Sequence, residues 1–249
     1  MSYQKYLSYL GALSVAVGVE FASFSPITLP LRAQPLLVSV TFPPTENVGA
    51  PSRTAGAGKR SLGCVKEGST PLTALTPTNN VAVTVSANPT LFWYVPKTQA
   101  EFAEFVVVDK DENEVYQTTL AVRGTPGVVK LSLPSTVVLE PGKDYLWQLA
   151  LVCEPTDRSA DEFVQGVIKR TELEANQKSK LDAAREPLKQ AEVYAEAKIW
   201  QETLTLLAQL RHDRPNDSSI ADAWRELLNS VELKAIASAP LLECCKADR

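Results

Sequence analysis

His212 is the single histidine of this chain, and histidine is the side chain best suited to carry protons near neutral pH. It sits in Arg211-His212-Asp213-Arg214, at the expected end of a helix, where an imidazole meets the last carbonyls and solvent. A Ser-His-Asp triad would have to use it, and no serine stands in a Gly-x-Ser-x-Gly turn. A Cys-His dyad would need a free cysteine folded beside it. Asp109-x-Asp111-x-Asn113 begins like a calcium loop. Glu114 then stands where the glycine belongs, and Leu120 where the closing glutamate belongs, so a solvated hairpin tip is expected. Gly56-Ala57-Gly58-Lys59 lacks the spacing and the following Ser/Thr of a phosphate loop. Acidic residues are plentiful, but nothing in the sequence selects a pair for glycoside cleavage. No catalytic, cofactor or metal set emerges.

The chain has four cysteines, Cys64, Cys153, Cys244 and Cys245. An even count in an exported chain suggests disulfides. Adjacent cysteines rarely bridge each other, because the bond needs more Cα separation than neighbours have. Two pairings of Cys64 and Cys153 with Cys244 and Cys245 remain, in either order. A third scheme joins Cys64 to Cys153 alone. It closes a loop of about 90 residues and contributes roughly 4–5 kcal/mol in the chain-entropy model. Buried free thiols are the alternative. A zinc site is disfavoured, since there is no C-x-x-C pair.

The aromatic residues have two readings. Trp93 and Trp147 fall on expected strands, and Trp200 and Trp224 on helical apolar stripes, which is core packing. The other reading is a platform in which Trp93, Tyr94 and Trp200 stack on a ligand.

Several kinds of element must position these groups. Residues 139–153, LEPGKDYLWQLALVC, read as a Pro-Gly turn feeding a strand. Tyr145, Trp147, Leu149, Leu151 and Cys153 share one face of it. A tyrosine just after such a turn enters a late strand of many immunoglobulin-like sandwiches, its hydroxyl tying the corner back to the backbone. Further strands are expected at 81–85, 91–95, 102–109, 115–122, 128–133 and 163–168, and one at 36–42. Their short spacers and Gly/Pro punctuation favour an antiparallel sandwich over a parallel sheet. Beyond residue 171 proline and glycine thin out. A charged helix at 172–189 should end or kink at Pro187. Tyr194, Ala197, Trp200, Leu204, Leu207 and Ala208 predict one amphipathic helix over 191–212. Asn216 or Asp217 caps the next helix, which carries Ile220, Trp224, Leu227, Leu228 and Val231. The pair reads as a helical hairpin turning at Arg214-Pro215-Asn216.

The N-terminus looks like an export signal. Lys5 precedes an apolar run at 7–19, and small residues near Ala33 offer a cut. Glu20, Pro26 and Pro30 spoil a long membrane span, and no second run is long enough to cross a bilayer. The expected organisation is therefore a signal peptide at 1–33, a Gly/Pro-rich linker at 34–65, a β-sandwich at 66–170 and an α-helical hairpin packed on it at 171–249. The net charge is −4 and 45% of residues are hydrophobic. That leaves ample core material and argues against nucleic acid or an anionic membrane as partner. Arg53, Lys59 and Arg60 lie in the linker, where they read as solvated.

The hairpin sequence YAEAKIWQETLTLLAQLRHDRPND is similar to one tetratricopeptide-type unit. A lone unit must lean on another surface, and the sandwich is available. Taken whole, the order of motifs resembles the domain of unknown function 928 family of exported proteins from photosynthetic bacteria. The residues that carry this are Gly63-Cys64, Leu72-Thr73-Ala74-Leu75, Asn88-Pro89-Thr90, Phe92-Trp93-Tyr94-Val95-Pro96, Tyr145-x-Trp147 running into Cys153, Tyr194-Ala195, Ile199-Trp200, and Trp224-Arg225-Glu226-Leu227-Leu228. The resemblance implies export and supplies no activity, ligand or catalytic residue.

The leading expectation is thus an α+β, periplasmic or secreted, non-catalytic module. It would present the groove between sandwich and helices to an envelope protein. The runner-up is a carbohydrate- or peptidoglycan-binding module using exposed aromatics. A hydrolase with two facing carboxylates comes third.

Overall fold

Among the residues described by the computed structural model, 39–46, 64–122 and 126–242, eight strands precede four α-helices. All of them belong to one compact unit, Leu37–Arg249, and a second unit, Met1–Leu36, lies outside the described residues. The expected signal at 1–33, linker residues 47–63, and Cys244 and Cys245 also fall outside them.

The strands are β1 (Thr73–Ala74), β2 (Val81–Thr84), β3 (Thr90–Val95), β4 (Phe102–Val108), β5 (Glu114–Ala121), β6 (Gly127–Ser132), β7 (Asp144–Leu151) and β8 (Glu162–Arg170). They form a three-stranded sheet ordered β1-β3-β6 and a five-stranded sheet ordered β2-β8-β7-β4-β5. One pairing departs from the all-antiparallel expectation: β2 runs parallel to β8. Nearly all the other strands lie between these two in sequence, so the pair needs no crossover helix and leaves no short-range signal.

The period-two alternation of the strands decides which side chains meet. Trp147 and Leu149 on β7, Phe105 and Val107 on β4, and Leu91, Trp93 and Val95 on β3 enter one core shared by the two sheets. The Trp93 ring meets Phe105 at 5.1 Å and Trp147 at 5.7 Å, both edge to face, the geometry that the ring quadrupoles favour. Gly166 on β8 stands opposite Trp147. A Cβ there would collide with the indole and come within 2.8 Å of Asn80 Oδ1, so the strand needs glycine for close approach. At the entry to β7 the Glu140 N–H donates to Tyr145 Oη at 2.9 Å. The expected tyrosine corner is present, beside a turn in which Gly142 takes φ +76°.

The three-stranded sheet is covered on its other side as well. Phe92 on β3 and Val128 on β6 enter a second core with the helices. The helices are α1 (Ala175–Ala183), α2 (Pro187–Glu196), α3 (Trp200–Asp213) and α4 (Ser218–Ser230). Pro187 opens α2, where its missing N–H costs nothing. The single helix expected at 191–212 is two. The chain turns between α2 and α3 with Lys198 at φ +59°, and α2 packs more extensively on α3 than α4 does. The Arg214-Pro215-Asn216 loop joins α3 to α4, and Asp217 caps α4 by accepting from the Ser219 N–H at 3.0 Å.

Residues 39–46 form no strand, so the part of the strand expected at 36–42 that is described, 39–42, is not one; 36–38 lie outside the described residues. Pro43 and Pro44 lack the N–H that a ladder requires. The segment docks on the helices instead: Val40 and Phe42 are buried there, the Phe42 N–H donates to Ser230 Oγ at 2.9 Å, and its ring meets Trp200 at 4.9 Å. After the helices the chain returns to the edge of β6. The Val128 N–H donates to Pro240 O and the Leu242 N–H to Val128 O, each at 2.8 Å.

Candidate functional site

A cleft of about 330 Å³ opens where the end of β2 meets α2 and α3. Its lining comes from the loop into β3 (Ser86, Asn88, Pro89, Thr90), from α2 (Gln190, Tyr194) and from α3 (Gln201, Glu202, Thr205, Leu206). Hydroxyls and amides supply most of its polar groups, and Glu202 is the one charged residue among the lining residues.

The loop wall is held by its own side chains. Asn88 Nδ2 donates to Pro134 O at 3.1 Å and also to Val137 O, while the Asn88 N–H donates to Ser86 Oγ at 3.1 Å. Thr90 and Ser132 share a hydroxyl bond of 2.7 Å across the β3–β6 pair. Asparagine and serine suit such a loop because their short side chains bond the nearby backbone.

The helical wall is fixed from the core side. Trp200 opens α3, is fully buried, and donates its indole N–H to Leu75 O at 2.8 Å. Glu202 follows in the first turn, where the helix dipole favours a negative charge. Its carboxyl reaches across to the sheet. Oε1 accepts from Thr84 Oγ1 at 2.7 Å, from the Val85 N–H at 3.1 Å and from the Ser86 N–H at 3.0 Å. Two successive backbone N–H groups and a fully buried hydroxyl thus converge on one oxygen. Oε2 is buried with no hydrogen-bond partner among the described residues. The neighbouring Gln201 is only 2% exposed, and its Oε1 is buried without a partner as well.

Burial pushes the Glu202 carboxyl above the usual glutamate range, outweighing the donors on Oε1, which pull it down. The Tyr194 phenol is also raised, first by burial and then by the charge of Glu202. The cleft therefore combines a largely buried carboxyl, an orphaned amide oxygen and an aromatic ring.

Of these three the sequence singles out Tyr194 alone, as part of a helical stripe and a motif and not as a site residue. Glu202 reads there as one more acid near a helix start. Its partners lie more than a hundred residues away in the chain, and no local pattern announces them. Gln201, a polar residue next to Trp200 at the head of a helix, reads as exposed until the fold buries it.

The residues that the sequence did single out fall elsewhere. Trp93 and Trp200 are fully buried, so neither ring can stack on a ligand. The stacking platform is corrected on this point, and Tyr94, half-buried, faces the helical core rather than a row of exposed rings. Trp147 and Trp224 are buried as well. The Arg211 guanidinium lies over the Trp224 ring at 4.9 Å. Cys64 and Cys153 bond to each other. That sets aside the two pairings of these residues with Cys244 and Cys245, and removes both thiols from any dyad with His212. His212 is exposed on the last turn of α3. Asp109 closes the β4–β5 tip, accepting from the Asp111 and Asn113 N–H groups at 2.9 and 3.0 Å. Bonds to Asn113 are the main cause that holds its carboxyl below the usual range. No metal-binding group of three His, Cys, Asp or Glu residues occurs among the described residues. No helix among them is long and apolar enough to cross a membrane. The paired carboxylates that a glycoside hydrolase requires are not found in this cleft, where Glu202 is the one acid.

A family model described as Domain of Unknown Function (DUF928) matches residues 55–241, three quarters of the chain. No curated protein matches it.

Proposed function

The chain belongs to the DUF928 family, and from that premise we propose that it is an exported, non-catalytic interaction module that offers the cleft between the β2–β3 loop and α2–α3 to a protein partner in the cell envelope. The observation that carries this reading is the pair of buried, unpartnered acceptors, Gln201 Oε1 and Glu202 Oε2, on residues lining an open cleft. Buried acceptors without donors are costly, and sites that keep them commonly use them on a ligand. Export is supported by the N-terminal charge and apolar run in the sequence and by a disulfide between Cys64 and Cys153, a bond that persists in oxidising compartments. Within this reading the two sheets are an immunoglobulin-like sandwich, supported by the Tyr145 corner. The hairpin closed by Arg214-Pro215-Asn216, α3 with α4, is tetratricopeptide-like in this reading, supported by the short capped loop between the two helices.

A photo-crosslinking residue at Thr205, in the cleft, tests the proposal against one at Lys110, on the remote β4–β5 tip. In envelope preparations the Thr205 probe should trap one recurring protein that the Lys110 probe does not. Identical patterns from both positions would contradict it. The second reading is a glycan-binding module. It is favoured by the amides of Asn88, Gln190 and Gln201 around Tyr194, although Trp93 and Trp200 cannot contribute.

A further inference from the structure

We infer that the cleft is a receptor for a primary ammonium group, the side chain of a lysine presented by the partner segment, held by Glu202 Oε2 and Gln201 Oε1 beside the Tyr194 ring. The inference rests on the preceding reading of the cleft as the interaction surface and names what that surface recognises.

Three observations select this chemistry. The first is valence. Glu202 Oε1 already accepts three hydrogen bonds from Thr84, Val85 and Ser86, whereas Oε2 accepts none. The carboxyl thus has a single oxygen to offer. A guanidinium prefers both oxygens of a carboxylate for its paired N–H donors, while an ammonium binds as a point charge with three rotatable donors. An ammonium on Oε2 therefore keeps donors free for the orphaned oxygen of Gln201, which lines the same cleft.

The second is charge. No lining residue is cationic, and no salt bridge to Glu202 occurs among the described residues. Thr84, Val85 and Ser86 on the sheet side supply dipoles only, and on α2 the titratable group near the carboxyl is Tyr194. A charge-assisted bond is about twice as strong as a neutral one, so a ligand cation restores what burial takes from this carboxylate.

The third is size. About 330 Å³ admits one long side chain and excludes a folded domain. Tyr194 adds an aromatic wall, and Leu206 and Pro89 add apolar surface for the methylene stem.

The mechanism links binding to protons. Burial raises the Glu202 pKa, and an adjacent ammonium lowers it, so binding releases a proton and tightens as pH rises through the carboxyl's own range.

The experiment is an amide-resolved NMR titration of the wild-type protein with acetyl-Gly-Lys-Gly-amide. Parallel titrations use the same peptide acetylated on the lysine Nε, and chitotriose. The lysine peptide should shift the Val85 and Ser86 amides and the Gln201 side-chain amide. The acetyl-lysine peptide should bind about tenfold more weakly or worse, since the charge is gone. Glu202→Gln should lose a similar factor, and the comparison of the two peptides needs no variant at all. Equal binding of both peptides, or shifts located away from the cleft, would overturn the ammonium assignment. Shifts at these amides from chitotriose alone would overturn it too, while leaving the cleft as a ligand site. If none of the three probes shifts these amides, the assignment also fails, and the Thr205 crosslink separately decides whether the cleft is an interface.

Discussion

Replacing Glu202 with glutamine and with alanine separates two things that the carboxyl does: it ties α3 to the end of β2, and it is a buried acid. Alanine removes the acceptor from the Thr84 hydroxyl and from the Val85 and Ser86 N–H groups. At about 1 kcal/mol net per bond, the cost should approach 3 kcal/mol. At neutral pH relief from burying a charge offsets part of it. Glutamine keeps an acceptor oxygen, so Glu202→Gln should stay within about 1 kcal/mol of wild type. The pH dependence has a definite sign. The folded-state pKa lies above the ordinary 4.5. The folded protein therefore holds this proton more tightly than the unfolded chain. That contribution to stability is complete below the ordinary value and is lost as pH rises through the folded one. Glu202→Gln has no such group. Urea unfolding of the three proteins from about pH 4 to about pH 8 should show wild type losing ground to Glu202→Gln as pH increases. The reasoning is refuted if wild type gains on Glu202→Gln with rising pH, or if alanine and glutamine cost the same throughout.

Gly166→Ala should destabilise by about 1–3 kcal/mol, because its methyl meets the Trp147 indole and Asn80 Oδ1. Combining it with Trp147→Leu should cost less than the sum of the two, and strict additivity in denaturant unfolding would deny the contact. Cys153→Ser should lower stability by roughly 4–5 kcal/mol through the lost loop closure, and wild type in reductant should match it. A reductant-insensitive wild type would show that the bond does not form. Tyr145→Phe should cost about 1 kcal/mol by unpairing the Glu140 N–H, measured as a shift in urea midpoint at unchanged slope. No shift would mean that the corner bond contributes nothing.

The legible parts of this fold are those that local chemistry writes. Pro141-Gly142 followed by Tyr145 and the alternation through Trp147 set β7 and its corner, because a strand's side chains alternate whatever the rest of the chain does. Asp217 was readable as a cap for the same reason. The break between α2 and α3 was not. The stripe of Tyr194, Ala197, Trp200 and Leu204 runs on across the break, and the left-handed turn is taken by Lys198, where no glycine marks it. The parallel β2–β8 pair was equally hidden, since register between distant strands is set by tertiary packing. The candidate site falls into this second group. Asn88-Pro89-Thr90 and Tyr194 are sequence motifs, yet the glutamate that lines the cleft with them has its partners more than a hundred residues away in the chain. The cysteine pairing needed spatial proximity in the same way, with a Cα separation of 5.0 Å that no spacing rule supplies.

Everything assigned to the cleft depends on α3 being docked on the sheet layer, and the Trp200 indole proton reports that docking. Its N–H donates to Leu75 O at 2.8 Å, and the ring is fully buried. Hydrogen exchange of this proton, followed by NMR in deuterated buffer, should be as slow as that of the most protected β3 and β7 amides, opening only with global unfolding. Exchange at the rate of a solvent-exposed indole, while those strand amides stay protected, would show the helices standing free of the sheets and would contradict the account.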